Sequence, residues 1–125
     1  MAVRVVDASA LAAILFGEPE AEQVVARLQG SRLVAPALLP YEVASVCLKK
    51  IRRHPDMRDR LLESYAGRKR ADIEEIEVRF SEVITLAESS EITCYDASYL
   101  WLAMQLKAEL VTLDEKLAAV AKDCL

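Results

Sequence analysis

A chain of 125 residues carrying a formal net charge of −4 has room for one hydrophobic core and not for two. Its longest uncharged apolar run, Ala8 to Phe16, falls far short of the roughly 20 residues that span a bilayer, and an acid at position 7 comes too early for a secretory leader. The expectation is therefore a single domain over residues 1–125, cytoplasmic and without membrane contact.

Read in chain order, Val3-Arg4-Val5-Val6 is a short β-branched run, expected to be a buried strand that ends at Asp7. Ser9 is placed to cap a helix from Ala10 to Phe16, with Gly17 as its stop. A second helix is predicted from Pro19 to Leu28, turning Val24, Val25 and Leu28 inward. Gly30-Ser31 then leads into a brief strand, Arg32 to Ala35, closed by Pro36. Pro40 suits the first turn of a long helix reaching about Arg53, where Pro55 breaks it and a further helix covers about Asp56 to Ala66. Gly67 to Asp72 reads as a polar connection and Ile73 to Phe80 as an imperfectly alternating strand. Ser81 is placed to cap a helix ending near Ser90, and Thr93 or Cys94 opens another through about Ala108. Leu110-Val111-Thr112 forms a last strand, and Asp114 caps a final helix from Glu115 to Lys122. Strands alternating with helices predict a three-layer α/β/α sandwich around a mostly parallel sheet of four or five strands.

Few kinds of chemistry remain open to this composition. Cys47, Cys94 and Cys124 are odd in number, widely spaced and in no ligand pattern, which argues against a disulfide scaffold and against a zinc site. The one histidine, His54, lies in a basic helical stretch, so Ser-His-Asp and Cys-His catalysis and imidazole-rich metal sites are disfavoured by count. Hydrolysis, if the protein performs it, falls to carboxylates. Four of them occupy informative positions. Asp7 follows the first strand, Glu42 and Asp96 lie in the first turns of their helices, and Asp114 lies two residues beyond the last strand. In open parallel sheets ligands bind beyond the carboxyl ends of the strands, where strand order reverses. The separations of 35, 54 and 18 residues leave it to the fold to bring the four together. Each alone has an ordinary structural use, since acids favour helix starts through capping and the helix dipole. Brought together they repel one another unless a cation sits among them. All-oxygen donors favour Mg²⁺ or Mn²⁺, ions that activate water and neutralise charge on phosphoryl oxygens.

Charge is also unevenly distributed. From Lys49 to Arg70, nine basic residues stand against three acidic ones, a local charge of +6, and the remainder of the chain carries −10. A positive lobe on an acidic body suits a polyanion, although a solvated helical face explains the same run equally well.

Four blocks of this sequence resemble the PIN-domain family over Val3 to about Val120. They are Val5-Val6-Asp7-Ala8-Ser9-Ala10-Leu11, Tyr41-Glu42-Val43-Ala44, Thr93-Cys94-Tyr95-Asp96-Ala97-Ser98-Tyr99-Leu100, and Leu110-Val111-Thr112-Leu113-Asp114-Glu115-Lys116-Leu117. The resemblance implies that Asp7, Glu42, Asp96 and Asp114 bind one or two Mg²⁺ or Mn²⁺ ions and that a metal-activated water cuts single-stranded or looped RNA. It implies supporting hydroxyls at Ser9 and Thr112. The short length and the 54% hydrophobic content resemble the VapC-type toxin subgroup, which implies a homodimer and a VapB-like antitoxin partner. Lys49, Lys50, Arg52 and Arg53, on the helix that carries Glu42, are the expected phosphate contacts. The chain ends directly after its final helix, so the family's usual fifth strand is expected to be missing or vestigial.

Other readings fit less well. A phosphoacceptor receiver domain needs an acidic pair after the first strand, where this chain has Asp7-Ala8-Ser9, and an aspartate where Pro36 stands. A haloacid-dehalogenase-like phosphatase needs a second aspartate where Ser9 stands. The serious rival is a PIN-like module that binds RNA or protein without cutting, although such modules tend to lose the acids that this chain keeps.

Overall fold

The computed structural model describes all residues from Met1 to Leu125. Its elements run β1 (Val3–Val6), α1 (Ala8–Leu15), α2 (Ala21–Leu28), β2 (Arg32–Pro36), α3 (Leu39–Arg53), α4 (Arg58–Ala66), β3 (Glu74–Ile76), α5 (Phe80–Ser90), α6 (Cys94–Leu106), β4 (Glu109–Val111) and α7 (Glu115–Cys124). Short 3-10 turns at Pro55–Met57 and Gly67–Ala71 flank α4.

All four strands pair in parallel, in the order β3-β2-β1-β4. The chain moves outward from β1 to β3, then crosses back over the sheet to lay β4 on the free side of β1. That reversal puts a switch point between β1 and β4, with Val6 paired to Val111 at its carboxyl end. Right-handed crossovers require the helices of the outward and the return paths to cover opposite faces. The packing agrees with this. Helix α1 packs on α2 and α3, and α3 on α4, whereas α6 packs on α5, α7 and the strands β1, β2 and β4. With helices on both faces, Val5 and Val6 are both buried, as are Val34, Ala35, Leu110 and Val111.

One apolar cluster of 23 buried residues fills the space between the layers. Its centre is α6, which buries seven consecutive residues from Ala97 to Ala103, a helix apolar all round because it lies under α5 and α7 as well as on the sheet. Trp101 Nε1 ties it to α5 by donating to Glu82 at 3.0 Å. Tyr65 on α4 donates its hydroxyl to the Pro40 carbonyl at 2.9 Å, fixing the start of α3.

The sheet has four strands; residues 115–124 form α7 and no fifth strand is present. Several local expectations require correction. The cap of α1 is Asp7, not Ser9, which lies inside the helix. Helix α2 starts at Ala21 rather than Pro19, and its inner face is Val24 and Leu28, with Val25 exposed. Pro36 is itself the last residue of β2, paired with Ile76, so the strand runs one residue beyond Ala35. The strand expected over Ile73 to Phe80 shrinks to Glu74–Ile76 because its partner β2 ends at Pro36, leaving nothing beyond for it to pair with. Phe80 opens α5, so Ser81 lies inside that helix and Arg79 precedes it, ion-paired to Glu82 at 3.0 Å. Strand β4 covers Glu109–Val111, which puts Thr112 one residue past its end.

Leu100 is fully buried in the middle of α6. Its truncation to Ala is expected to cost about 2–5 kcal/mol, read as a lowered urea midpoint. Leu48→Ala, at an exposed position on α3, is expected to change it by no more than about 0.5 kcal/mol.

Candidate active site

Asp7 has only 5% of its surface exposed, yet it carries a carboxylate. It occupies the step from β1 to α1, where its Oδ1 accepts the Ala10 amide at 3.0 Å as the helix cap and the Ser9 hydroxyl at 2.7 Å. Its Oδ2 accepts the Thr112 hydroxyl, and its amide donates to the Val111 carbonyl at 3.2 Å, continuing the β1–β4 ladder. The two hydroxyls in turn accept backbone amides, Ser9 from Leu113 at 2.9 Å and Thr112 from Asp114 at 3.0 Å. Since each hydroxyl has a single proton and gives it to Asp7, the 3.3 Å between Ser9 Oγ and Thr112 Oγ1 is a contact between two acceptors. A carboxylate offers about four acceptor positions, and three of those on Asp7 are filled.

The other acids approach from three further helices. Asp114 caps α7, its Oδ1 accepting the Leu117 amide at 3.0 Å, and is otherwise exposed. Asp96 lies in the first turn of α6, whose cap is Thr93, and its amide donates to Thr93 Oγ1 at 3.1 Å. Glu42 lies in the first turn of α3. All four belong to one electrostatic group. Asp7 feels the charges of Asp114, Glu42 and Asp96, and Asp96 also feels Asp114 and Glu42. Burial raises the carboxyl pKa of Asp7, of Glu42 and of Asp96, and the neighbouring acids raise each further. Hydrogen bonds oppose this without reversing it: Thr112, Ser9 and Ala10 at Asp7, and Thr93 at Asp96, where Lys116 also contributes its charge.

Two residues of this group were not singled out by the sequence reading. Lys116 is the one cation that bears on Asp96. Tyr99 is buried among the acids, and its hydroxyl lies towards Glu42 without reaching the geometry of a proper hydrogen bond. Burial first, then Glu42, push its pKa upward, so it remains a phenol. Its signal was available: three residues after Asp96 on one helix, it had to share that face.

The expected phosphate contacts divide. Lys50 is engaged, ion-paired with Glu18 and stacked 5.6 Å from the Phe16 ring centroid. Lys49, Arg52 and Arg53 are exposed along the last turns of α3.

As a donor set the four carboxylates suit a hard divalent cation, being all oxygen and mutually repelling. No three of them already converge closely enough to hold an ion. A groove of about 780 Å³ along β4, between α6 and α7, reaches Thr112 but none of the four acids. The opening beside the acids is a cleft of about 610 Å³ to which Glu42 contributes.

The sequence and the four-stranded parallel fold both match known proteins. Residues 4–123 match the PIN domain family model. The chain is 34% identical over 122 residues to "Ribonuclease VapC3" of Pyrobaculum aerophilum, covering 91% of each. It superposes on the crystal structure of PAE2754, also from Pyrobaculum aerophilum, with a TM-score of 0.80 and 25% identity, over 99% of this chain and 88% of that one. The chain belongs to the PIN domain family.

The raised carboxyl pKa values have a thermodynamic sign. Folded Asp7, Glu42 and Asp96 bind protons more tightly than the same groups in the unfolded chain. Their contribution to stability is therefore full below the ordinary carboxyl range and is lost as pH rises through the raised folded values. In metal-free buffer Asp7→Asn is expected to flatten that decline, measured as Tm against pH. Two hydroxyl deletions should also behave oppositely. Thr112→Val removes a donor to Asp7 and leaves buried polar groups unsatisfied, at a cost of about 1–3 kcal/mol. Tyr99→Phe removes a hydroxyl that has no partner, and denaturant titration is expected to find it neutral or stabilising.

Proposed function

We propose that this protein is a divalent-metal-dependent endoribonuclease, the toxin half of a VapBC-type pair, acting in the cytoplasm on RNA. The observation that carries the reading is the coupling of Asp7, Glu42, Asp96 and Asp114, from four different helix starts, at the β1–β4 switch point. The kinship with a protein named ribonuclease supports the reaction class. In this reading the four carboxylates hold Mg²⁺ or Mn²⁺, which when bound supplies an activated water and neutralises charge on the scissile phosphate. Everything else falls to the chain itself. Ser9 and Thr112 fix the orientation of the Asp7 carboxylate while their own oxygens are anchored by the Leu113 and Asp114 amides. Asp114 keeps its Oδ2 free of the cap that occupies Oδ1. Lys49, Arg52 and Arg53 receive the RNA backbone, whereas Lys50 serves the contact with Glu18.

Dimerisation and the antitoxin belong to the same proposal. Phe80 and Ile84 on α5 are 72% and 58% exposed, apolar surface that a second copy or an antitoxin segment would cover. A non-cutting module remains the competing reading, and it predicts RNA binding without metal dependence.

Purified protein incubated with structured RNA in Mg²⁺, in Mn²⁺ and in EDTA decides between them. Cleavage is expected only with metal and is expected to vanish in Asp7→Asn, with Thr112→Val reduced by about 10–100-fold. Binding of RNA with no metal-dependent cleavage at any RNA tried would establish the module instead.

A further inference from the structure

Beside the carboxylates, the cleft of about 610 Å³ runs between the start of α3 and the start of α6. Its floor is apolar, from Ala8, Leu38 and Val46. Two tyrosines line it, Tyr41 and Tyr95, and they are 78% and 63% exposed, although their rings are large enough that folding normally covers them. Glu42 also lines it and is at the same time one of the four coupled acids. Lys49 lines the same cleft, two helical turns beyond Glu42 on α3, and is exposed, with Arg52 beyond it.

We infer that this cleft is a nucleobase subsite, in which Tyr41 and Tyr95 stack the base of the nucleotide adjoining the scissile phosphate and Lys49 binds that nucleotide's backbone phosphate. The proposal rests on the ribonuclease reading of the neighbouring acids and adds to it the part of the substrate that the acids do not touch. The chemistry of the lining favours a nucleotide over a purely apolar occupant. An apolar lining with exposed aromatic rings fits a flat π-face, the lysine fits the anion attached to it, and the Glu42 carboxylate links the cleft to the group of acids. Stacking on exposed rings works for any base, because each has a π-face, so the subsite confers grip and register rather than sequence preference. The base must be unpaired to enter, which commits the substrate to single strands and loops.

The test uses the whole protein and a short single-stranded RNA carrying 2-aminopurine, titrated in EDTA so that nothing is cut. Stacking on a tyrosine quenches 2-aminopurine fluorescence. Wild type is expected to quench it on binding. Tyr41→Ala and Tyr95→Ala are each expected to weaken affinity about 5–100-fold and to lose the quench, while Tyr41→Phe and Tyr95→Phe keep both. Lys49→Ala is expected to weaken affinity and to lower the steepness of its salt dependence by about one phosphate contact. Both tyrosines are exposed, so the variants should fold, and circular dichroism checks this. Unchanged affinity and quench in the alanine variants would overturn the proposal. So would alanine variants whose oligomeric state changes in sedimentation while RNA affinity does not, a result that makes the cleft a protein-docking surface. The two readings fail separately: absent metal-dependent cleavage with an intact quench removes the nuclease and leaves a base-binding cleft, and cleavage lost in Asp7→Asn with no effect of the tyrosines does the reverse.

Discussion

A carboxylate buried at the carboxyl end of the central strand is costly, and the local structure around Asp7 can be read as the means of offsetting that cost. Desolvation raises its pKa, so the fold surrounds it with three donors, one from its own helix start and two from hydroxyls. Those hydroxyls are held in place by amides of the segment after β4, which donate to their oxygens. One residue therefore caps α1 and holds Thr112 through its carboxylate while its backbone amide extends the β1–β4 ladder towards Asp114. The atoms that hold this part of the fold together are thus those of the candidate site.

Much of this was legible from sequence. Strand β1, the Pro40 helix, a helix opening at Thr93 or Cys94 and Asp114 as a cap follow from local rules about β-branched runs and helix starts, and these place all four acids. The failures share a cause. Ser9 and Asp7 are equally suitable caps by residue type, and it is the Ala10 amide, donating to Asp7 Oδ1, that puts Asp7 in the cap position. The length of β3 depended on where β2 stopped, and the inward turn of Val25 depended on which neighbour covered α2; neither is written in its own segment. Tyr99 was overlooked because a tyrosine in an apolar helix reads as core, and it is core; what matters is where its hydroxyl end lies.

The basic segment shows how composition can be right in sum and wrong in detail. A charge of +6 between Lys49 and Arg70 is real, yet Lys50 is committed to Glu18 and Phe16, and Arg68 lies over the Tyr65 ring, 5.0 Å from its centroid. What remains beside the acids is Lys49 with Arg52 and Arg53 further along the helix, a narrower cationic strip whose position next to Glu42, rather than its total charge, gives it meaning.

Strand β4 pairs with β1 across a separation of 105 residues, Arg4 opposite Glu109. Contacts of such range form late, because the chain must close a long loop before it gains anything from them. On the ribosome the consequence is sharper. Asp7 emerges early, but its Thr112 partner and the fourth acid follow only once β4 has been made and threaded beside β1. A partly synthesised chain therefore holds three of the acids while Asp7 still lacks both the Thr112 hydroxyl and the β4 carbonyl that fix it, so the environment of that carboxylate is completed only when synthesis is nearly done.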